Sequence, residues 1–187
     1  MTPAPTLLAR TVSVGETRDL AAALAALAEP GDLVLLAGDL GAGKTAFAQG
    51  FGAGMGVTEP ITSPTFTLAQ QYDGRLTVHH LDVYRLDQLA EVADLGLAEL
   101  LDDRGVVLIE WGDAILPILP NDYLEVRLSF GSGPDADDDE RLIVVRSVGP
   151  RWARRQVSLL RAIEPWAEAP AGRPAATGDA PPEPGPC

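Results

Sequence analysis

The sequence is poor in cysteine and lysine, and it lacks any apolar run long enough to cross a bilayer. Its one cysteine is the last residue, Cys187, so no disulfide can form within the chain, which suits a reducing compartment. Acidic residues outnumber basic ones by 27 to 14, and the net charge of −13 opposes direct, non-specific binding to nucleic-acid phosphates. The N-terminus also lacks the pattern of a signal peptide. We therefore expect a cytoplasmic protein that does not bind membranes.

The one lysine, Lys44, lies in a motif that stands out in this composition, since the other 13 basic residues are all arginine. The motif reads Gly38-Asp39-Leu40-Gly41-Ala42-Gly43-Lys44-Thr45 and matches the phosphate-binding pattern G-x-x-x-x-G-K-[ST] at every fixed position. An apolar run at residues 33–37 predicts a strand before it, and residues 46–51 predict a helix after it. In this context the loop amides surround an anion, the lysine reaches the terminal phosphates, and the Thr45 hydroxyl binds Mg²⁺.

Short apolar segments between turn signals predict an α/β domain around this motif. Before the motif, the sequence predicts an edge strand at residues 7–14 and a helix capped by Thr17 and ending near residue 28. After the motif, it predicts a hairpin with a two-residue turn at Asp73-Gly74, a helix from Asp87 and a strand at 106–110. The domain then ends with an antiparallel pair at 123–130 and 142–145, whose strands are joined by a solvated acidic turn, and with a helix at 151–163. We expect residues 1–165 to form the domain. Residues 166–187, rich in Ala, Pro and Gly, are expected to be a disordered tail.

Two acidic residues end predicted strands. Asp82 follows the second strand of the hairpin, where a carboxylate either terminates the strand at the surface or positions a metal or water. Glu110 follows four apolar residues, the shape of the second motif of nucleoside triphosphatases, whose carboxylate meets Mg²⁺ or its water. Because ligands of open α/β sheets bind at the carboxyl ends of strands, Asp82, Glu110 and the glycine loop can converge there. The adjacent His79 and His80 point to opposite faces of a strand, and we interpret them as structural or supporting residues.

Two segments remain open to alternative interpretations. The hydroxyl-rich loop at residues 58–67 is either a connector or a switch segment ordered by the terminal phosphate and the metal. The arginines of the last predicted helix form either a solvated face or a contact for an acidic partner, RNA or the nucleotide itself. These are Arg151, Arg154, Arg155 and Arg161.

Four stretches together resemble the TsaE (YjeE) family, the ATPase subunit of the bacterial machinery that makes threonylcarbamoyladenosine in tRNA. They are the glycine loop, Ser63-Pro64-Thr65-Phe66-Thr67, His80-Leu81-Asp82-Val83-Tyr84-Arg85 and Glu110-Trp111, and the likeness covers roughly residues 10–160. Val83 stands where the family usually has leucine. The resemblance implies an α/β, three-layer P-loop NTPase domain with a mostly parallel central sheet plus antiparallel strands. It also implies ATP and Mg²⁺ as ligands, TsaD and TsaB as partners, and tRNA reached only through that complex.

The resemblance further implies roles for individual residues. The expected nucleotide-binding residues are Asp39, Leu40, Gly41, Ala42, Gly43, Lys44, Thr45, Ala46 and Thr65. Lys44, Asp82 and Glu110 are the expected catalytic residues, and Thr45 and Glu110 the expected Mg²⁺ ligands. Asp82 either positions the attacking water or completes the metal shell, and Thr65 is placed to sense the γ-phosphate.

The activity implied is ATP hydrolysis that supports repeated tRNA modification, slow in the isolated subunit, with the transfer chemistry belonging to TsaD. Two other functions use the same loop, namely a small-molecule kinase and a non-enzymatic, nucleotide-gated binding module.

Overall fold

The structure, a computed structural model, describes residues 6–64, 69–84, 99–100, 103–131 and 137–168 of the 187-residue chain. The described strands are β1 (Thr6–Thr11), β2 (Asp32–Ala37), β3 (Ala69–Tyr72), β4 (Val78–Asp82), β5 (Val106–Glu110), β6 (Tyr123–Phe130) and β7 (Arg141–Val148). The described helices are α1 (Val14–Ala25), α2 (Lys44–Gly54), α3 (Pro150–Arg154) and α4 (Gln156–Ile163), with 3-10 segments at Gly112–Ile118 and Glu164–Trp166. None of these helices has the length and apolar character needed to cross a membrane.

The described strands form one mixed sheet in the order β1-β7-β6-β2-β5-β4-β3. The central pairs β6–β2, β2–β5 and β5–β4 are parallel, whereas the outer pairs are antiparallel. The α/β prediction with a mostly parallel centre is therefore confirmed, as are the edge strand β1 and the antiparallel pair β6–β7. In the register of the sheet Glu110 lies beside Leu36 of β2 and beside Asp82 of β4, so three strands end at the same edge.

Both faces of the central strands are covered, which explains why β2 and β5 read as continuous apolar runs. On one face α1, α2 and α4 bury a cluster that includes Leu20, Phe47, Phe51 and Leu159. On the other face a smaller cluster, which includes Leu35 and Ile109, packs against the 3-10 segment Gly112–Ile118. Packing on both faces thus holds the central strands in place, including the edge at which β2, β4 and β5 end.

The first helix begins earlier than predicted. Its N-cap is Ser13, whose Oγ accepts a hydrogen bond from the Glu16 amide at 3.1 Å, while the Glu16 carboxylate accepts one from the Val12 amide at 2.9 Å. This arrangement resembles a capping box, except that Glu16 binds the amide of the residue before the cap, and the two hydrogen bonds place the start of the helix at Ser13. Thr17, the predicted cap, is instead buried, with its hydroxyl 2.8 Å from that of Thr11.

The hairpin prediction is correct, but its two-residue turn is wrong. Tyr72 pairs with Val78, so residues 73–77 form the connection between β3 and β4. This longer loop folds onto the end of α2, where the Arg75 amide donates to the Met55 carbonyl at 2.6 Å. Tertiary contacts therefore override the local preference of Asp73-Gly74.

The C-terminal part also differs from the prediction. The helix is divided at Arg155, whose φ of −93° and ψ of 8° separate α3 from α4. Beyond it, Ala167 forms a bridge with Ala9, and the Glu168 amide donates to the Leu8 carbonyl at 2.9 Å. The expected domain boundary at residue 165 therefore falls within an ordered segment. Residues 169–187 and the helix predicted from Asp87 lie outside the described residues.

Candidate functional site

The glycine loop adopts a backbone conformation that requires its glycines. Gly38, Gly41 and Gly43 have φ values of 137°, 80° and 102°, which other residues rarely adopt. A Cβ at Gly38 would also lie 2.1 Å from the Leu128 carbonyl oxygen. Gly43 is the N-cap of α2 and offers no side-chain acceptor to the first helical amides. The start of α2 therefore has the free amides and the dipole that favour an anion.

Lys44 is held in place by neutral groups. Its Nζ donates to the carbonyls of Gly38 and Asp39 at 2.7 and 2.8 Å and lies 3.5 Å from the ring centroid of Trp111. Burial lowers the pKa of Lys44, although several nearby carboxylates, Glu110 foremost, act in the opposite direction. Within the described residues, no carboxylate lies within 4.0 Å of its ammonium group. The ammonium is thus positioned and partly desolvated while its charge has no close partner of opposite sign.

Glu110 forms a second centre of the site with Thr45. The Thr45 hydroxyl lies 3.2 and 3.3 Å from the two carboxylate oxygens, and the buried His80 places its Nε2 3.0 Å from one of them. His79 instead reaches Asp103 at 3.3 Å, in keeping with the interpretation of the two histidines as supporting residues. His80 therefore orients Glu110 from the neighbouring strand.

The hydroxyl of Thr45 and the carboxylate of Glu110 fit a hard cation such as Mg²⁺, which prefers oxygen ligands. Among the described residues, no group of three or more His, Cys, Asp or Glu side chains is arranged to hold a metal ion. Mg²⁺ is commonly held by one or two protein oxygens together with substrate phosphates and water. The Thr45–Glu110 pair therefore fits a metal that arrives with a phosphate ligand.

Asp82 connects the loop after α2 to the same edge of the sheet. Its two carboxylate oxygens accept hydrogen bonds from the Ser63 hydroxyl at 2.9 Å and from the Tyr84 amide at 3.0 Å. Asp82 is 4% exposed and lies directly beside Glu110 in the β4–β5 pair. The contact with Ser63 brings the start of this loop to the edge of the site, and the switch role of the loop stays a prediction.

These groups surround one cleft of about 440 Å³. The predicted site residues that line it are Leu40, Gly41, Gly43, Lys44, Thr45, Ala46, Asp82 and Glu110. Asp39 is exposed outside the cleft, Ala42 is fully buried beneath the loop, and Thr65 lies outside the described residues.

Three further residues line the cleft that were not among the predicted site residues, namely Ser63, which belongs to the predicted switch loop, Tyr84 and Trp111. Trp111 has a φ of 63°, unusual for a residue other than glycine, and its ring lies 4.6 Å from that of Tyr84. The only sequence signal for these residues is their position within the stretches that carry the family resemblance.

The part of the sequence that forms this cleft matches a known protein family. A family model described as "Threonylcarbamoyl adenosine biosynthesis protein TsaE" matches residues 11–136, which include the glycine loop, Asp82 and Glu110. This chain belongs to the TsaE family. The resemblance noted from the sequence is thereby confirmed.

Individual TsaE relatives match most of the chain. The TsaE protein of Bacillus subtilis, named for tRNA threonylcarbamoyladenosine biosynthesis, is 45% identical over 144 residues, covering 76% of this chain and 87% of its own. The protein of the same name from Streptomyces coelicolor is 43% identical over 148 residues, covering 76% and 98%. The crystal structure of Bacillus subtilis YdiB matches with a TM-score of 0.72 and 39% identity, covering 84% of this chain and 95% of that one. The relatives therefore support membership of this chain in the TsaE family, and the YdiB structure supports its α/β fold.

Proposed function

We propose that this TsaE-family protein is an ATPase with a three-layer P-loop NTPase fold. In this proposal it binds ATP with Mg²⁺ and hydrolyses it to support threonylcarbamoylation of an adenosine in tRNA, within a complex with TsaB and TsaD. The observation that supports it is a single cleft in which the glycine loop, Lys44 and the Thr45–Glu110 pair face one another. The names of the relatives support the part played in tRNA modification.

The phosphate-binding step belongs to the loop and Lys44. The amides of residues 41–45 and the start of α2 hold the β- and γ-phosphates. Lys44 exchanges its two carbonyl contacts and the Trp111 ring for phosphate oxygens, which gain more from its charge than neutral carbonyls do. This exchange moves an ammonium that is already in place, so little side-chain entropy is lost on binding.

Thr45 and Glu110 hold Mg²⁺, which when bound neutralises charge on the phosphates. His80 keeps Glu110 in the orientation that Thr45 needs. Asp82 holds Ser63 and, because a carboxylate oxygen accepts more than one hydrogen bond, it also orients the attacking water. Hydrolysis here relies on positioning and electrostatics rather than on covalent chemistry of the protein.

The partners follow from charge as well as from the family. A net charge of −13 opposes direct contact with tRNA phosphates, so tRNA is reached through the other subunits in the cytoplasm. TsaD carries the transfer reaction. Turnover of the isolated protein is slow because the partners order the site when they bind.

The test is ATP hydrolysis by the wild-type protein and by Glu110→Gln, each alone and with the TsaB–TsaD pair. We expect the pair to accelerate the wild-type rate and Glu110→Gln to lower it by about a hundredfold, the usual effect of losing a group that stabilises transition-state charge. Glu164→Gln, at an exposed position outside the cleft, serves as the matched control and should hydrolyse ATP at the wild-type rate.

Three outcomes contradict the proposal. Equal rates with and without the partner pair remove the idea that the partners order the site. A Glu110→Ala protein that still binds ATP and supports tRNA modification indicates a nucleotide-gated binding module instead. Transfer of phosphate to small metabolites, in place of phosphate release, indicates a kinase.

A further inference from the structure

Arg141, the first residue of β7, reaches back to the glycine loop. Its Nε donates to the Ala42 carbonyl at 3.0 Å and its Nη2 to the Gly41 carbonyl at 3.4 Å. Its Nη1 donates to the carbonyls of Asp138 and Glu140 at 2.6 and 2.8 Å. One guanidinium therefore joins two carbonyls of the loop to two carbonyls of the hairpin that connects β6 and β7.

These contacts fix which way the loop amides point. In a planar trans peptide the C=O and the following N–H point in opposite directions. When Arg141 holds the Ala42 carbonyl on the hairpin side, the Gly43 amide is directed away from the hairpin. Gly43 lines the cleft, so Arg141 acts from behind the loop on the amides that face a ligand.

The glycine loop is seated closely on this hairpin. A Cβ at Gly41 would lie 3.6 Å from Cζ of Phe130, and one at Gly43 would lie 3.7 Å from Leu128 and 3.9 Å from the Arg141 Nε. The guanidinium itself lies over the Phe130 ring, 4.7 Å from its centroid. The planar group is therefore packed between an aromatic face and the loop, which limits its freedom to move.

The surroundings of the Arg141 charge differ from those of three other arginines. Arg10, Arg146 and Arg155 each pair with a carboxylate, those of Glu140, Glu125 and Asp32 respectively. Within the described part of the chain, Arg141 has four carbonyl acceptors and no carboxylate within 4.0 Å. Among the described residues, its positive field at the loop is thus not cancelled by an anion within 4.0 Å, and this field favours a bound phosphate.

We propose that Arg141 is a positioning residue for the phosphate loop, which orients the Gly43 amide and adds positive potential behind it. This inference rests on the proposed nucleotide binding, because it takes a phosphate to be the ligand of the loop. The planar fork of arginine suits this role, since it reaches the loop and hairpin carbonyls from three separate nitrogens, whereas a lysine presents all its donors from one nitrogen.

The experiment compares Arg141→Gln and Arg141→Lys with the wild-type protein and with Arg146→Gln. Arg146 lies on the same strand and pairs with Glu125 away from the loop, so it is the matched control. Hydrogen exchange of residues 38–45 is measured without nucleotide, and KM and kcat for MgATP are measured with the TsaB–TsaD pair. Thermal midpoints establish that each variant is folded.

Both Arg141 variants should exchange the loop amides about tenfold faster and raise KM for MgATP about tenfold, as expected for losing charge-assisted hydrogen bonds to two carbonyls. The kcat at saturating ATP should change by less than about threefold, because Arg141 sets the ground-state shape of the loop and does not touch the reacting atoms. Arg146→Gln should match the wild type in both measurements.

Wild-type exchange and wild-type KM in Arg141→Lys would show that a positive charge at this position is sufficient, and this overturns the proposed role of the planar guanidinium. Wild-type exchange and wild-type KM in Arg141→Gln overturn the whole inference. A wild-type protein that binds no nucleotide overturns the proposed function instead, and the exchange measurement still decides whether Arg141 holds the loop.

Discussion

The two ends of strand β2 handle buried charge in opposite ways. At the amino end, the side chain of Asp32 is 1% exposed and accepts hydrogen bonds from Arg155 at 2.6 and 2.9 Å and from the Glu29 amide at 2.8 Å, with Arg151 at 3.3 Å. At the carboxyl end, the contacts of Lys44 with described residues are to two carbonyls and an aromatic ring. Among the described residues, one end thus neutralises its charge in a carboxylate–arginine pair, whereas the other has no carboxylate within 4.0 Å of its ammonium group.

The difference follows from how completely each charge is surrounded. Arg155 lies over the Trp152 ring at 3.8 Å and also donates to the Leu27 carbonyl at 2.8 Å, so the Asp32 pair is saturated by the fold itself. The same contacts answer a question left open by the sequence. Arg151 and Arg155, two members of the basic stripe, bind Asp32 rather than forming a purely solvated face or an external contact. The amino end of β2 is thus stabilised by an ion pair within the fold, whereas its carboxyl end leads into the cleft for which we propose nucleotide binding.

The largest expected effect is at the amino end. Replacing Asp32 with Ala leaves Arg155 buried without its carboxylate, and we expect a loss of about 4 kcal/mol in the free energy of unfolding, as found when one partner of a buried pair is removed. Urea denaturation followed by circular dichroism measures this loss. Affinity for MgATP in the fraction that remains folded should not change.

The control for this substitution is Glu29→Gln. Glu29 is 59% exposed and lies 3.9 Å from the same Arg155, so its removal should cost no more than about 0.5 kcal/mol. A loss below about 1 kcal/mol for Asp32→Ala, or a large loss for Glu29→Gln, would contradict the role of the Asp32–Arg155 pair in stabilising the amino end of β2.

A second substitution tests the carboxyl end. Lys44→Met should weaken MgATP binding by about 3 kcal/mol, or roughly a hundredfold, because the phosphates lose a positioned charge. Because burial lowers the pKa of Lys44, its charged form is disfavoured in the folded protein, and we expect no decrease in the free energy of unfolding. Calorimetric titration and urea denaturation measure the two quantities.

Lys44→Arg is the companion variant. It keeps the charge but replaces a compact ammonium with a planar group, and it should not restore affinity. Affinity within about tenfold of wild type in Lys44→Met would contradict the assigned role of the lysine.

The smallest expected effect concerns pH. Because burial lowers the pKa of Lys44 below the ordinary 10.5, the ammonium loses its proton at a lower pH than a free lysine, and the affinity for MgATP should fall as pH rises through this lowered pKa. The unfolded chain keeps that proton to higher pH, so the contribution of Lys44 to folding stability rises with pH across the same window. Affinity and stability should therefore change in opposite directions.

Titrations in buffers of different ionisation enthalpy count the protons taken up on binding. In Lys44→Arg the proton uptake should vanish, because arginine stays charged throughout this range. A wild-type affinity that is constant with pH would show that the charge of Lys44 is not what the nucleotide recognises.

Much of this architecture could be predicted because its signals are local. The apolar runs of β2 and β5 and the spacing of the glycine loop each lie within a few consecutive residues. The rule that parallel strands end at one edge then brought Asp82 and Glu110 together before any contact was known. The roles assigned to these residues remain predictions.

The features that could not be predicted depend on contacts between residues far apart in the chain. Arg141 lies 100 residues after Gly41, and no spacing pattern relates an arginine at the start of a strand to a glycine loop. The solvated acidic turn was wrong at one position for the same reason, since Glu140 is buried and binds Arg10 on β1. Local composition reports on solvent preference, but it does not report which distant cation will neutralise a particular carboxylate.

The register of β4 and β5 has a consequence for how such a domain can change in length. Asp82 and Glu110 share a row of the sheet, and side chains along a strand alternate between its faces. Deleting one residue inside either strand, between its start and its acid, would turn that acid to the opposite face of the sheet. The two carboxylates therefore stay side by side only while neither strand gains or loses a residue.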